Sequence, residues 1–195
     1  MPRPPLILAS ASARRRELLA LTGIPFTCDP VDADEHCELP GDQAVMVLSE
    51  RKARAAALRH PGAVILGSDT LVCLDGRPMG KPHTPEEAFD MLRSLRGRRH
   101  HVYTGVTVLD PQGGRHSGLS ASEVEFAADF SDEMIRRYIA TGEPMDKAGA
   151  YALQGIAGLW IRRVDGSSSG VIGLPLELTR RLLRECGLEP LTEEA

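Results

Sequence analysis

The pattern of apolar and polar positions divides the chain into short apolar runs and amphipathic stretches. The first run, Leu6-Ile7-Leu8-Ala9, reads as a strand. Ser10-Ala11-Ser12 follows, then three arginines and the Leu18-Leu19 pair. Ser12 stands where an N-cap belongs, and Gly23 with Pro25 beyond it supplies a stop, so the pattern predicts a helix to about Thr22. A second strand is expected over 26–31 and a polar loop over 32–40. A long helix is expected to be capped by Asp42 and to end before Pro61-Gly62. "AVILG" at 63–67 is a continuous apolar run, as in a strand buried on both faces. Ser68-Asp69-Thr70 comes next, placing Asp69 just past that strand's end, and another strand covers 71–74. Asp75-Gly76 reads as a hairpin turn.

Thr84-Pro85-Glu86-Glu87 is a capping box with proline at the first helical position, opening a helix that ends near Gly97. Alternating strands are predicted over about 100–109 and 119–127, joined by Pro111-Gln112-Gly113-Gly114. Ser131 caps a helix stopped by Gly142. A strand covers 159–164, and Pro175 opens a last helix to about Cys186. No repeat or linker divides the chain. The expected fold is therefore α/β (mixed α+β), a mixed twisted sheet with flanking helices, in a single domain of two lobes over 1–195 with short tails at 1–5 and 188–195.

Composition narrows the function classes. The net charge is −4 and only 4% of residues are aromatic, which argues against nucleic acid as a partner. Any anion site must be a local cationic cluster. Cys28, Cys37, Cys73 and Cys186 form no CxxC pair and no zinc-ligand spacing with histidines, which suits reduced thiols. No apolar run approaches the roughly 20 residues of a membrane span, and the first apolar run is too short for a signal-peptide core. A cytoplasmic location is expected, with no membrane partner.

Four constellations carry chemistry. A strand–Ser-x-Ser–helix connection aims free N–H groups at one spot, where the helix dipole favours an anion. Ser10 and Ser12 add hydroxyls, and Arg14 and Arg15 can fork a phosphate. Alternatively Ser12 only caps and the arginines are a solvated face, as Arg16 is expected to be. Asp69 could hold a divalent metal or act as a base toward water, or could be an ordinary loop aspartate. Lys81 in "GKP", Lys52 on its helix and Glu35 in "DADEH" are unremarkable singly. "EPMDKAGAYALQG" at 143–155 gathers Asp146, Lys147, Tyr151 and Gln154 among small residues. The Ser/Gly turn at 165–175 could bind an anion or simply cap a helix.

In order, "SASARR", "DE", "ERKA", "GSDT", "GKP", "YTGV", "MDKAGAYALQG" and "GSSSGVIGLP" resemble the Maf family of nucleoside-triphosphate pyrophosphatases, from Leu6 to about Gly187. The resemblance implies a Maf/inosine-triphosphatase-like fold with a deep cleft between two lobes. It implies cleavage of a nucleoside triphosphate between the α- and β-phosphates with Mg²⁺ or Mn²⁺. It places the catalytic base on Asp69, the phosphate-binding groups on Ser10, Ser12, Arg14 and Arg15, and the family's glutamate and lysines on Glu35, Lys52 and Lys81. Asp69 and Glu35 are the implied metal ligands, and Arg14, Thr70 and Gln154 the positions linked to base choice. "MDKAGAYALQG" resembles the branch that prefers dTTP and UTP. Ala13, Ser68, "AYALQG" and "SSSG" depart from the usual family residues without removing a charged group. The alternative is a nucleotide-binding regulator of cell division with incidental turnover. Whether the chain pairs as a homodimer stays open.

Overall fold

A computed structural model describes residues 3–191. Its sheet has seven strands: β1 (Leu6–Leu8), β2 (Phe26–Cys28), β3 (Val64–Leu74), β4 (Arg77–Met79), β5 (Arg99–Leu109), β6 (Arg115–Phe126) and β7 (Ile161–Asp165). The order is β2-β1-β3-β5-β6-β7, with β4 paired to β3. β1 runs parallel to β2 and β3, and the remaining pairs are antiparallel. The sheet is therefore mixed, as the alternating pattern implied. The helices are α1 (Ala13–Ala20), α2 (Gly41–Ala57), α3 (Pro85–Leu95), α4 (Asp132–Ala140), α5 (Ser168–Ile172) and α6 (Leu176–Glu185). None of the described helices is long and apolar enough to cross a membrane.

Local signals account for most boundaries. Ser12, Thr84 and Ser131 each cap their helix by accepting from the amide three residues on, a contact worth about 1 kcal/mol. Asp75 and Gly76 both have positive φ, 52° and 75°, as a type I′ hairpin turn requires. That turn produces β4, a strand not anticipated. Asp42 does not cap α2. Pro40 occupies the cap position without a side-chain bond, and Asp42 lies in the first turn. β6 begins at Arg115 and not near 119, because Asp110 Oδ1 accepts from Gln112 N (2.9 Å) and Gly114 N (2.8 Å), closing a compact turn.

One correction bears on the site. Asp69 is not past the end of a strand. β3 continues for 11 residues and Asp69 lies near its middle, opposite Gly105 of β5. The neighbour that ends is β1, whose last paired residue, Leu8, faces Leu66. The crevice expected at the carboxyl end of parallel strands is opened by β1, and β3 runs along its floor.

The long strands pass between distinct apolar clusters. Leu6, Leu8, Val64, Leu66, Val106 and Val108 pack with Leu19 of α1 and with Leu178, Leu182 and Leu183 of α6. Ile7, Ala9 and Ile65 pack against Ala53 and Ala56 of α2. Farther along, Val72, Val102 and Val124 join Leu92 of α3 and Ile135 of α4. Ser68, Asp69 and Thr70 on β3, and Thr104 and Gly105 on β5, occupy the junction between these cores. Leu188, expected in a tail, is buried in the first cluster. Elsewhere in the expected tails, Pro5 O accepts from Val64 N (2.9 Å) and Leu191 N donates to Thr22 O (3.1 Å), while Met1, Pro2 and 192–195 lie outside the described residues.

Candidate active site

The connection from β1 to α1 forms as its hydroxyl spacing suggests. Ser12 N donates to Ser10 Oγ (3.1 Å), and Arg15 N donates to Ser12 Oγ (3.4 Å). Arg16 is exposed, as expected, while Arg14 and Arg15 are half-buried and face the crevice. Arg15 Nε donates to Gly173 O (2.9 Å) and Nη2 to Thr70 Oγ1 (3.2 Å). Burial pushes the Arg15 guanidinium below its ordinary pKa, an effect that Asp69 opposes.

The acidic side of the site is assembled by α2. Its approach to the sheet depends on two glycines. A Cβ on Gly67 would lie 2.3 Å from Ser49 O, and one on Gly105 would lie 2.3 Å from Val45 O. With the helix this close, Lys52 Nζ reaches Asp69 Oδ1 at 2.6 Å and Glu35 Oε1 at 2.8 Å. Asp69 is buried, and Glu35 reaches the same ammonium from the 32–40 loop. The hydrogen bond from Lys52 holds the Glu35 carboxyl below the usual carboxylate range. Each carboxylate meets the ammonium through one oxygen.

The third wall is the 143–155 segment. Arg14 Nη1 lies 3.7 Å from Asp146 Oδ2 across the mouth. Lys147 Nζ pairs with Asp146 and donates to Glu143 O (2.6 Å), and its bond holds the Asp146 carboxyl below its ordinary pKa. Gly149, at φ 68°, donates its amide to Gly80 O (3.0 Å), tying this wall to the segment carrying Lys81. Tyr151 is anchored from below by His100, whose Nε2 lies 2.8 Å from its hydroxyl. Gln154 is exposed beside it.

Together these walls enclose a cleft of about 830 Å³, within the roughly 300–1,000 Å³ of small-molecule sites. Ser10, Ser12, Arg14, Arg15, Glu35, Lys52, Asp69, Thr70, Lys81 and Gln154 all line it. Residues named from separate segments thus share one cavity. Asp146 and Lys147 also line it; the sequence had singled them out without giving them a role. Thr104, read only as a strand position within "YTGV", lies directly behind Thr70. The serines of "GSSSG" act structurally: Ser167 Oγ caps α5 by accepting from Gly170 N (3.0 Å), and Ser169 Oγ accepts from Leu176 N (3.0 Å).

Residues 5–186 match the family model described as "Maf-like protein". The chain belongs to the Maf family. Among Maf relatives, a protein of Geobacillus sp. (strain WCH70) named "dTTP/UTP pyrophosphatase" is 45% identical, covering 93% of this chain and 98% of that protein. One of Myxococcus xanthus with the same name is 48% identical, covering 94% and 93%. Among solved structures, the Ham1 protein of Staphylococcus aureus is similar with a TM-score of 0.48 at 14% identity, covering 64% of this chain and 72% of that one. The matched Maf segment contains every cleft residue named above.

Proposed function

We propose that the protein hydrolyses dTTP and UTP between the α- and β-phosphates, releasing the monophosphate and pyrophosphate. The observation that carries this is the convergence in one cleft of the Asp69–Lys52–Glu35 ion triad with Arg14, Arg15 and Lys81. The name shared by the relatives supports the substrate class.

A divalent cation, Mg²⁺ or Mn²⁺, belongs to this proposal. Among the described residues no group of three or more metal-binding side chains occurs, but Asp69 and Glu35 converge on one ammonium. Mg²⁺ is usually held by one or two carboxylates together with substrate phosphates. The pair therefore fits a cation that arrives with its triphosphate, and Asp69 and Glu35 would hold it. When bound, such an ion supplies positive charge to the phosphate oxygens.

The chain's own residues do the rest. Arg14, Arg15, Lys81 and the N-terminus of α1 bind and orient the phosphate chain. Lys52 holds the Asp69 carboxylate at the cleft floor, and Asp69 takes the proton from the attacking water. The water oxygen bonds to the α-phosphorus as the bond to the bridging oxygen breaks, and that electron pair leaves with pyrophosphate. The cations offset the charge that develops on the leaving group, so positioning and electrostatics supply most of the acceleration. At the other end, the Gln154 amide offers a donor and an acceptor. Uracil and thymine present a carbonyl beside an N3–H, which one amide can satisfy.

The test is to incubate pure protein with a panel of nucleoside triphosphates and Mg²⁺ or Mn²⁺ and identify products by ³¹P NMR. Monophosphate and pyrophosphate are expected. Orthophosphate and a diphosphate as first products would overturn the proposal. Full activity in chelator would remove the cation from it.

A further inference from the structure

We propose that Thr104, acting through Thr70, is a positioning residue that aims the Arg15 guanidinium at the substrate's phosphates. The inference rests on the reading of the cleft as a triphosphate site and assigns it a component behind its wall.

The direction of the hydrogen bonds can be derived. Thr104 Oγ1 lies 2.8 Å from Gly170 O, and a carbonyl only accepts, so the single Thr104 hydroxyl proton points there. Thr70 Oγ1 and Thr104 Oγ1 are 2.9 Å apart. Thr104 has no second proton, so Thr70 is the donor. The Thr70 proton is then committed, and toward Arg15 its oxygen accepts from Nη2 (3.2 Å). The result is a one-way chain, Arg15 to Thr70 to Thr104 to Gly170 O. Thr70 and Thr104 face each other in the β3–β5 register, and Thr104 is fully buried.

This chain sets which edge of the guanidinium is available. Nε is held by Gly173 O (2.9 Å) and Nη2 by Thr70. The Nε/Nη2 edge is thus bound to protein, and the Nη1/Nη2 end, the fork that grips a phosphate in bidentate fashion, is left to the cleft. Gly173 O also accepts from Ser68 Oγ (3.0 Å), which fixes the carbonyl that fixes Nε. A long side chain is thereby ordered before substrate arrives, so binding does not have to supply that ordering. It also follows that the Thr70 hydroxyl, although it lines the cleft, can only accept there.

A double-mutant cycle tests the proposal. The kcat/KM for dTTP is measured for wild type, Thr104→Val, Arg15→Ala and the double variant, alongside Tm. Thr104→Val should lower kcat/KM roughly three- to tenfold, the scale of one net hydrogen bond, and Thr104→Ser should restore most of it. With Arg15→Ala in place, Thr104→Val should cost nothing further. An equal loss in both backgrounds, or a folded Thr104→Val with wild-type efficiency, would overturn the relay. Wild-type efficiency in Arg15→Ala would instead overturn the phosphate-site reading, and the relay with it. Should Thr104→Val not fold, the Arg15 Nη–H resonances are followed in Thr104→Ala. Their exchange with water should be faster than in wild type, and unchanged exchange would refute the proposal.

Discussion

The Lys52 ammonium lies 2.6 Å from Asp69 Oδ1, joining a helix to a strand 17 positions further along the chain. The pairing gives the aspartate a fixed orientation at the cleft floor and brings Glu35 to the same cation. Asp69→Asn keeps the shape and removes the charge and the basic oxygen. Turnover should fall about 10²–10⁴-fold, the usual contribution of a positioned acid–base group, while the fold and much of the triphosphate affinity survive. Steady-state kinetics with thermal denaturation as control would show this. Near-wild-type turnover would move the base elsewhere, with Glu35 next in line.

Adjacent arginines should behave differently. Arg15 is anchored in the cleft wall, whereas Arg16 faces solvent. Hydrogen bonds to charged groups contribute roughly 1.5–3 kcal/mol. Arg15→Ala and Lys81→Ala should each lose about tenfold to over a hundredfold in kcat/KM, with an altered salt dependence. Arg16→Ala should change little. Equal damage from Arg16→Ala would mean that the faces of α1 are assigned wrongly.

Gln154 is expected to set base choice. Wild type should prefer dTTP and UTP over CTP and GTP, because the N3 of cytosine would face an acceptor without a proton. A buried polar site can reject an unmatched analogue by around 10⁴, and the exposure of Gln154 reduces that figure. Gln154→Ala should lower the dTTP-to-CTP ratio of kcat/KM by about tenfold. If wild type treats CTP or GTP as well as dTTP, the assignment of the base pocket fails even if pyrophosphate is the product.

Folding stability should depend on pH through His100. Burial pushes its pKa down from 6.5 to about 4, so the folded protein holds it neutral against Tyr151. As pH falls below 6.5 the unfolded chain takes up the proton first. The stability contributed by His100 is therefore full above that point, is lost progressively toward pH 4, and changes no further below, a contribution on the order of a few kcal/mol. Urea denaturation across this range should show a shallower dependence for His100→Gln. An identical slope would remove His100 as the cause.

Much of this molecule is legible along the chain because its signals are local. Ser12, Thr84 and Ser131 cap helices through amides three residues away, and Asp75-Gly76 turns where positive φ is tolerated. The apolar run at 63–67 announces a strand covered on both faces. Ser10, Ser12, Arg14, Arg15 and Asp69 stand out by their own chemistry, whereas Glu35, Lys52, Lys81 and Thr70 are named only through the resemblance of the ordered segments to the Maf family. Periodicity, however, records which face of an element is apolar and not which other element covers it. Asp69 is followed by more strand because β5 pairs with β3 through Cys73, a partner some 30 positions away that no local pattern specifies. The crevice beside Asp69 exists because β1 stops. Lys52 becomes part of the site because Gly67 and Gly105 let α2 settle onto the sheet. Thr104 reads as any β-branched strand residue until the fold sets it behind Thr70 and beneath Gly170 O. The local chemistry was written in the order of residues. Its convergence came from packing, where burial of the three apolar clusters brings distant segments to one cleft.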